Sequence, residues 1–318
     1  MAHKINFNSK TEKHSFFSVK EKAWHNLGQV VDGYPTSAEA IEFAGLNYKV
    51  EKRNLFTYGY DTDEDTDYDV VIERQLDVPN YYATIRTDTD KILGVVGNDY
   101  EVVQNTDAFA FFDAIVGGGE GIQYETAGAL GNGERIFITA KLPGYIKVGR
   151  DDLIEKYLFM TTSHDGFGSI TAAFTPTRIV CNNTLHAALG NMTNCVKIRH
   201  TQSAKERLLQ AHKVMGITNT MTDQLNGIFN QWAQVRITDK ELLKLVQQAM
   251  APSKEVLEKV LNDENIDEYS SRFLNTVERV CEYGFSNETQ QMETTKGTLF
   301  GAYNAIIMES KRLCKAVA

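Results

Sequence analysis

The spacing of apolar residues changes period once along this chain. Between Tyr48 and Tyr100 it is close to two, in Tyr48–Lys52, Val70–Ile72, Tyr82–Arg86 and Ile92–Val96, as expected for strands. Two further apolar runs, Tyr124–Leu130 and Arg135–Leu142, flank Gly131-Asn132-Gly133 and predict a hairpin. Tyr157–Thr162 and Ser169–Phe174 predict another around the polar turn Ser163-His164-Asp165-Gly166. Two helices interrupt the strands. One starts at Thr36 or Ser37, either of which can cap it, with Ile41, Ala44 and Leu46 as apolar positions. The other is capped by Asn105-Thr106-Asp107 and ended by Gly117-Gly118-Gly119.

Beyond Thr175 the period becomes helical. Leu208, Leu209, Ala211, Val214, Met215 and Ile217 form one stripe, Leu242, Leu243, Leu245 and Val246 a second, and Phe273, Leu274, Val277 and Val280 a third. Strands followed by helices predict an α+β fold: an antiparallel twisted sheet in the N-terminal two-thirds and a helical C-terminal region. The expected division is a β-rich α+β core domain over 1–200 and a helical region over 201–318.

Between these regions, Thr175 to Leu185 concentrates Arg178, Cys181, Asn182, Asn183 and threonines at an expected strand-to-helix junction. Polar groups at the edge of a core cost free energy unless each finds a partner, so such crowding marks a site. Arg178 in the first turn of a helix opposes the helix dipole and needs an anion nearby, either Asp165 or a bound phosphate. Cys181 beside a helix start and Arg178 has the setting of an activated thiol, with His186 or His164 as base; the same residues also suit core packing.

Charge sharpens this picture. The 318-residue chain has a formal net charge of −9, which argues against general polyphosphate binding. Yet from Arg178 to Lys213 the basic residues Arg178, Lys197, Arg199, Lys205, Arg207 and Lys213 face a single acid, Glu206. Thr201 is placed to cap the next helix, and helix N-termini receive anions. Tyr81, Tyr82, Phe109 and Trp232 are candidates for base stacking, and equally for the core.

Other motifs lose to simpler accounts. Asp61, Asp63 and Asp65 alternate like a calcium loop, but Thr66 and Ile72 stand where glycine and glutamate are required. Gly117–Gly121 lacks the lysine of a phosphate loop and follows a helix. Cys181, Cys195, Cys281 and Cys314 form no Cys-x-x-Cys pair, so no metal or other cofactor is expected. With no apolar leader and no membrane-length apolar run, a cytoplasmic protein that does not engage membranes is expected.

Several blocks resemble a family of phage- and plasmid-borne proteins of unknown function. Trp24-His25 with Gly28 resembles its opening. Arg86-Thr87-Asp88, Leu93–Val96, Tyr100 and Gln104-Asn105 resemble its next block, and Glu125–Gly133 another. His164-Asp165-Gly166 and Thr177–Leu185 resemble its centre, while Arg199-His200-Thr201 and Gly297–Ala305 resemble its close. At Met308–Arg312 the chain departs from the family pattern, which carries an aspartate–histidine pair there. The resemblance implies a mobile-element setting in a bacterial host, without an established activity.

Three functions follow as expectations. The first is a single-stranded nucleic-acid-binding protein, an annealing or recombination factor working as a homo-oligomer. Arg178, Asn182, Asn183, Lys197, Arg199, His200, Lys205 and Arg207 would line its groove. The second is a hydrolase or transferase acting on an anionic substrate, with His164 and Asp165 as acid and base, Arg178 as anion holder and Cys181 as nucleophile. The third is an inhibitor that blocks a host defence protein through an apolar surface.

Overall fold

A computed structural model describes residues 4–23, 25–62, 71–116, 123–176, 179–180, 185, 189, 195–201, 212–264 and 269–316. The acidic loop beyond Thr62, the glycine run 117–121, Trp24, Arg178, Cys181, Asn182, Asn183, His186, Lys205 and Arg207 lie outside them. The fold is α+β, with sheets in the N-terminal and central parts and helices in the C-terminal part.

The strands are β1 (Phe7–Asn8), β2 (Lys13–His14), β3 (Phe16–Val19), β4 (Gln29–Val31), β5 (Val50–Thr62), β6 (Val71–Arg86), β7 (Lys91–Gly97), β8 (Gln123–Leu130), β9 (Arg135–Val148), β10 (Asp152–Ser163), β11 (Ile170–Thr175) and β12 (Cys195–Ile198). The helices are α1 (Ser37–Phe43), α2 (Asn105–Val116), α3 (His212–Gln234), α4 (Asp239–Met250), α5 (Lys254–Leu261), α6 (Ser271–Ser286) and α7 (Leu299–Ala316).

By contact the chain divides into two compact units. One comprises Lys4–Pro143 and Tyr157–Thr218, the other Met1–His3, Gly144–Lys156 and Asn219–Ala318. In the first, a seven-stranded sheet runs β12-β11-β10-β9-β8-β3-β4 and a three-stranded sheet runs β5-β6-β7. The large sheet is antiparallel except where β3 and β4 pair in parallel. Strand β3 was not anticipated: Phe16, Phe17, Ser18 and Val19 are all buried, so no alternation announces it. Phe16 packs with Phe137, Phe159, Ala173, Ile179 and Leu185 in one apolar cluster. The two expected hairpins form as β8–β9 and β10–β11, with Gly131 and Gly133 at positive φ in the first turn.

The second unit is held by the second and third of the expected stripes; the side chains of the first, Leu208–Ile217, lie outside the described residues. Leu242 and Val246 of α4 meet Phe273, Val277 and Val280 of α6 and Ala302 and Ala305 of α7. Its helices start at the signals the sequence carries: Thr238 and Glu241 form a reciprocal capping box on α4, as Thr36 and Glu39 do on α1 in the first unit. The tip of the β9–β10 hairpin belongs to this helical unit. Asn230 of α3 accepts from the Gly149 backbone N–H at 2.9 Å and donates to the Lys147 carbonyl at 2.8 Å.

Candidate functional site

The turn after β10 is fixed from every side. The His164 backbone N–H donates to the Glu134 carbonyl at 2.6 Å, and the His164 carbonyl accepts from the Thr84 hydroxyl at 2.7 Å. The Ser163 carbonyl accepts from the Tyr100 hydroxyl at 2.9 Å. Asp165 accepts from the Ser163 hydroxyl and, at 2.8 Å, from the Phe167 N–H, which closes the turn on itself. Gly94 of β7 lets this turn approach, because a Cβ there would stand 2.5 Å from the Asp165 Cα and 2.6 Å from its carbonyl oxygen. Gly94→Ala must push backbone against backbone, so it should cost about 1–3 kcal/mol in urea unfolding. A change within a few tenths of a kcal/mol would show that the turn is not clamped.

His164 has no exposed surface. Its Nε2 lies 2.9 Å from the Asn105 side-chain oxygen, while the Asn105 amide donates to the Leu46 carbonyl at 3.0 Å. That orientation makes the asparagine oxygen the acceptor and puts the ring hydrogen on Nε2. Nδ1 is left buried without a partner among the described residues. Burial is the main reason that its pKa falls to about 3, with the His200 charge adding to the fall and Asp165 opposing it. The ring is therefore a neutral, fixed hydrogen-bond donor near pH 7.

His200 is the second buried imidazole. Nδ1 faces the Glu101 carbonyl at 3.2 Å and so donates; Nε2 then accepts from the Thr162 hydroxyl at 3.1 Å. The ring stacks on Tyr100 at 4.9 Å, 16° from parallel. Burial lowers its pKa, against the Glu101 hydrogen bond and the Asp165 charge. The Tyr100 phenol is pushed up by burial first and by Asp165 second.

Strand alternation then separates this polar core from two cations. Ile198 and His200 turn inward and are buried, while Lys197 and Arg199 turn outward and are exposed. Neither cation has an ion-pair partner among the described residues. Strand β12 closes one edge of the seven-stranded sheet. The structure thus divides the expected binding residues: Lys197 and Arg199 face solvent, and His200 belongs to the core.

Arg178, Cys181, Asn182, Asn183, Lys205 and Arg207 lie outside the described residues, but the chain beside the central motif is pinned. The Ile179 carbonyl accepts from the Thr126 hydroxyl at 2.6 Å. The Val180 carbonyl accepts from His25 Nε2 at 2.9 Å, and His25 Nδ1 accepts from the Leu27 N–H at 3.1 Å. His25 also meets Phe16 edge-on. It is a clamp between the N-terminal segment and the central motif. Of the aromatic candidates, Phe109 is buried against Tyr124, Trp232 packs with Phe229 and Tyr303, Tyr82 lies beneath the Lys52 ammonium at 4.6 Å, and Tyr81 is exposed.

Nothing local in the sequence marks Asn105, Tyr100 and Thr162 as partners of the two histidines. Asn105 has the position of a helix cap, and its bond to His164 spans 59 residues of chain. The helical unit has a cleft of its own, about 450 Å³, lined by Arg150, Asp152, Asn230, Arg236 and Thr294. There the Thr294 hydroxyl donates to Asp152 at 3.0 Å, and burial raises the Asp152 carboxyl.

Among the described residues no group of three or more histidine, cysteine, aspartate or glutamate side chains could hold a metal ion. No described helix is long and apolar enough to cross a membrane. No curated protein and no solved structure matches the chain. Residues 92–312 match the family described as "Domain of unknown function (DUF932)", and the chain belongs to that family.

Proposed function

We propose that this DUF932 protein binds single-stranded nucleic acid along the β12 edge, as an annealing or recombination factor in a phage or plasmid setting. The carrying observation is that Lys197 of the edge strand β12 and Arg199 just past its end are both exposed, with no acidic partner among the described residues. Around them the sequence from Arg178 to Lys213 has one acid, in a chain whose net charge is −9. A cationic stripe in an acidic protein steers an anionic chain to one place and repels it elsewhere. The buried His200 and the half-buried Tyr100 hold the strand end rather than touch the ligand.

The enzymatic reading gains less from the geometry. The His164 ring is sealed, and the Asp165 carboxylate is occupied by the Ser163 hydroxyl and the Phe167 N–H.

Anisotropy with a labelled single-stranded oligonucleotide tests the proposal. Affinity should fall linearly with log salt, and Lys197→Gln and Arg199→Gln should each reduce the slope by about 0.7. No binding at low salt, or binding without a salt slope, overturns it.

A further inference from the structure

Strands β5 and β6 continue well past their third strand. Lys91–Gly97 of β7 pairs only with Tyr81–Arg86, whereas Phe56–Thr62 of β5 pairs with Val71–Asp77 of β6 and with no other described strand. At about 3.3 Å per residue, β5 is about 40 Å long, and roughly half of that is a two-stranded ribbon. A lone two-stranded ribbon is marginal in water, because neither face is buried. This one exposes Phe56, Tyr58 and Leu76 at 47%, 50% and 37%. An arm of this kind gains stability when a face is covered.

The chemistry of one face says what covers it. Residues directly opposite in a ladder share a face, and Phe56 stands opposite Asp77 and Tyr58 opposite Gln75. The Phe56 and Tyr58 rings meet edge-to-face at 5.7 Å. Glu73 falls on the same face by strand alternation. Neither Glu73 nor Asp77 has a cationic partner among the described residues. Aromatic rings flanked by carboxylates suit lysine and arginine, whose stems pack on rings while their heads pair with acids. They repel a phosphate backbone.

We infer that this ribbon is an assembly arm that docks on the β12 edge of a second copy of the chain. Lys197 on that strand and Arg199 just past its end supply the complementary charge, and neither has an acidic partner among the described residues. The contact joins two different surfaces, so it propagates head to tail or closes into a ring. It uses the same two cations as the proposed nucleic-acid interface, so the test must separate the two roles.

Light scattering at low salt, without nucleic acid, makes the separation. The wild-type chain should exceed its 35.7 kDa monomer mass and fall toward it as salt rises. The arm variant Glu73→Lys/Asp77→Lys should run as a monomer while still binding the oligonucleotide. The edge variant Lys197→Glu/Arg199→Glu should also run as a monomer. Mixing the two should restore association, because the reversed arm then meets the reversed edge; this rescue excludes misfolding as the cause. A wild-type monomer at low salt, an arm variant that still associates, or a mixture that stays monomeric overturns the inference. Loss of assembly in the arm variant, with no nucleic-acid binding by any chain, supports the arm and refutes only the nucleic-acid proposal.

Discussion

Arg86→Ala should lower the stability of the β-rich unit by about 3 kcal/mol, because it empties the place of a buried arginine and leaves its hydrogen-bond partners unmet, with Asp88 still a third exposed. Arg86 is 1% exposed, yet each of its guanidinium nitrogens has a partner. Nε and Nη2 grip the Asp88 carboxylate at 2.6 and 2.9 Å. Nη1 reaches the Asn6 side-chain oxygen at 2.9 Å and the Asn132 carbonyl at 3.2 Å. The guanidinium also stacks 3.8 Å from the centre of the Tyr48 ring, whose hydroxyl donates to the Gly133 carbonyl at 2.7 Å. One side chain thereby ties the N-terminal segment, the end of β6 and the β8–β9 turn together. Arg86→Lys keeps the charge but cannot form the fork, so it should recover only part of the loss. The check is urea unfolding with near-ultraviolet circular dichroism. A midpoint for Arg86→Ala within error of wild type would sink this account.

Acid should destabilise the same unit from about pH 6.5 downward, well above the carboxylate range. Folding holds His164 neutral by lowering its pKa from 6.5 to about 3, so the unfolded chain takes up a proton that the folded chain refuses. The stabilisation is complete above pH 6.5 and is lost as pH falls toward 3. The loss is about 1.4 kcal/mol per pH unit, or about 3 kcal/mol by pH 4. His200 shifts in the same direction and steepens the fall. Asp88 acts lower: burial raises its pKa, but the Arg86 hydrogen bonds and charge outweigh that and hold it below 3.8, so its contribution goes only as the carboxylate protonates. In His164→Gln the side-chain amide can still donate to Asn105, and the slope of stability against pH between 6.5 and 4 should flatten by one proton. An unchanged slope in that variant would remove His164 as the source.

The sequence bore much of this architecture on its face. Period-two runs marked β6 and β7, apolar runs marked β8 and β9, and Gly131 and Gly133 marked the turn that joins the last two. Stripes through Leu242, Val246, Phe273 and Val277 marked the helical core, and Thr36 marked a helix start. Each signal is local, carried by residues a few positions apart. Strand β3 gave none, because a strand buried on both faces does not alternate. The long ribbon also escaped notice, since nothing in a strand's own residues says that its third neighbour stops halfway.

For the site, the divide is sharper. Residue types alone located the polar concentration at Ser163–Asp165 and the cationic run beginning at Lys197, because charge and hydrogen-bonding capacity are properties of the side chains themselves. Composition could not tell which of these groups face water. His164 and His200 are closed off by Asn105, Thr162 and Tyr100, partners 38 to 100 residues away in the sequence, while Lys197 and Arg199 are turned outward at the end of one short strand. The same histidine can be a proton carrier in water or a fixed donor in a core. Residue identities set the chemistry this protein possesses, and the folded arrangement selects which of it is on offer, because desolvation and hydrogen-bond partnership depend on neighbours that the chain brings from far away.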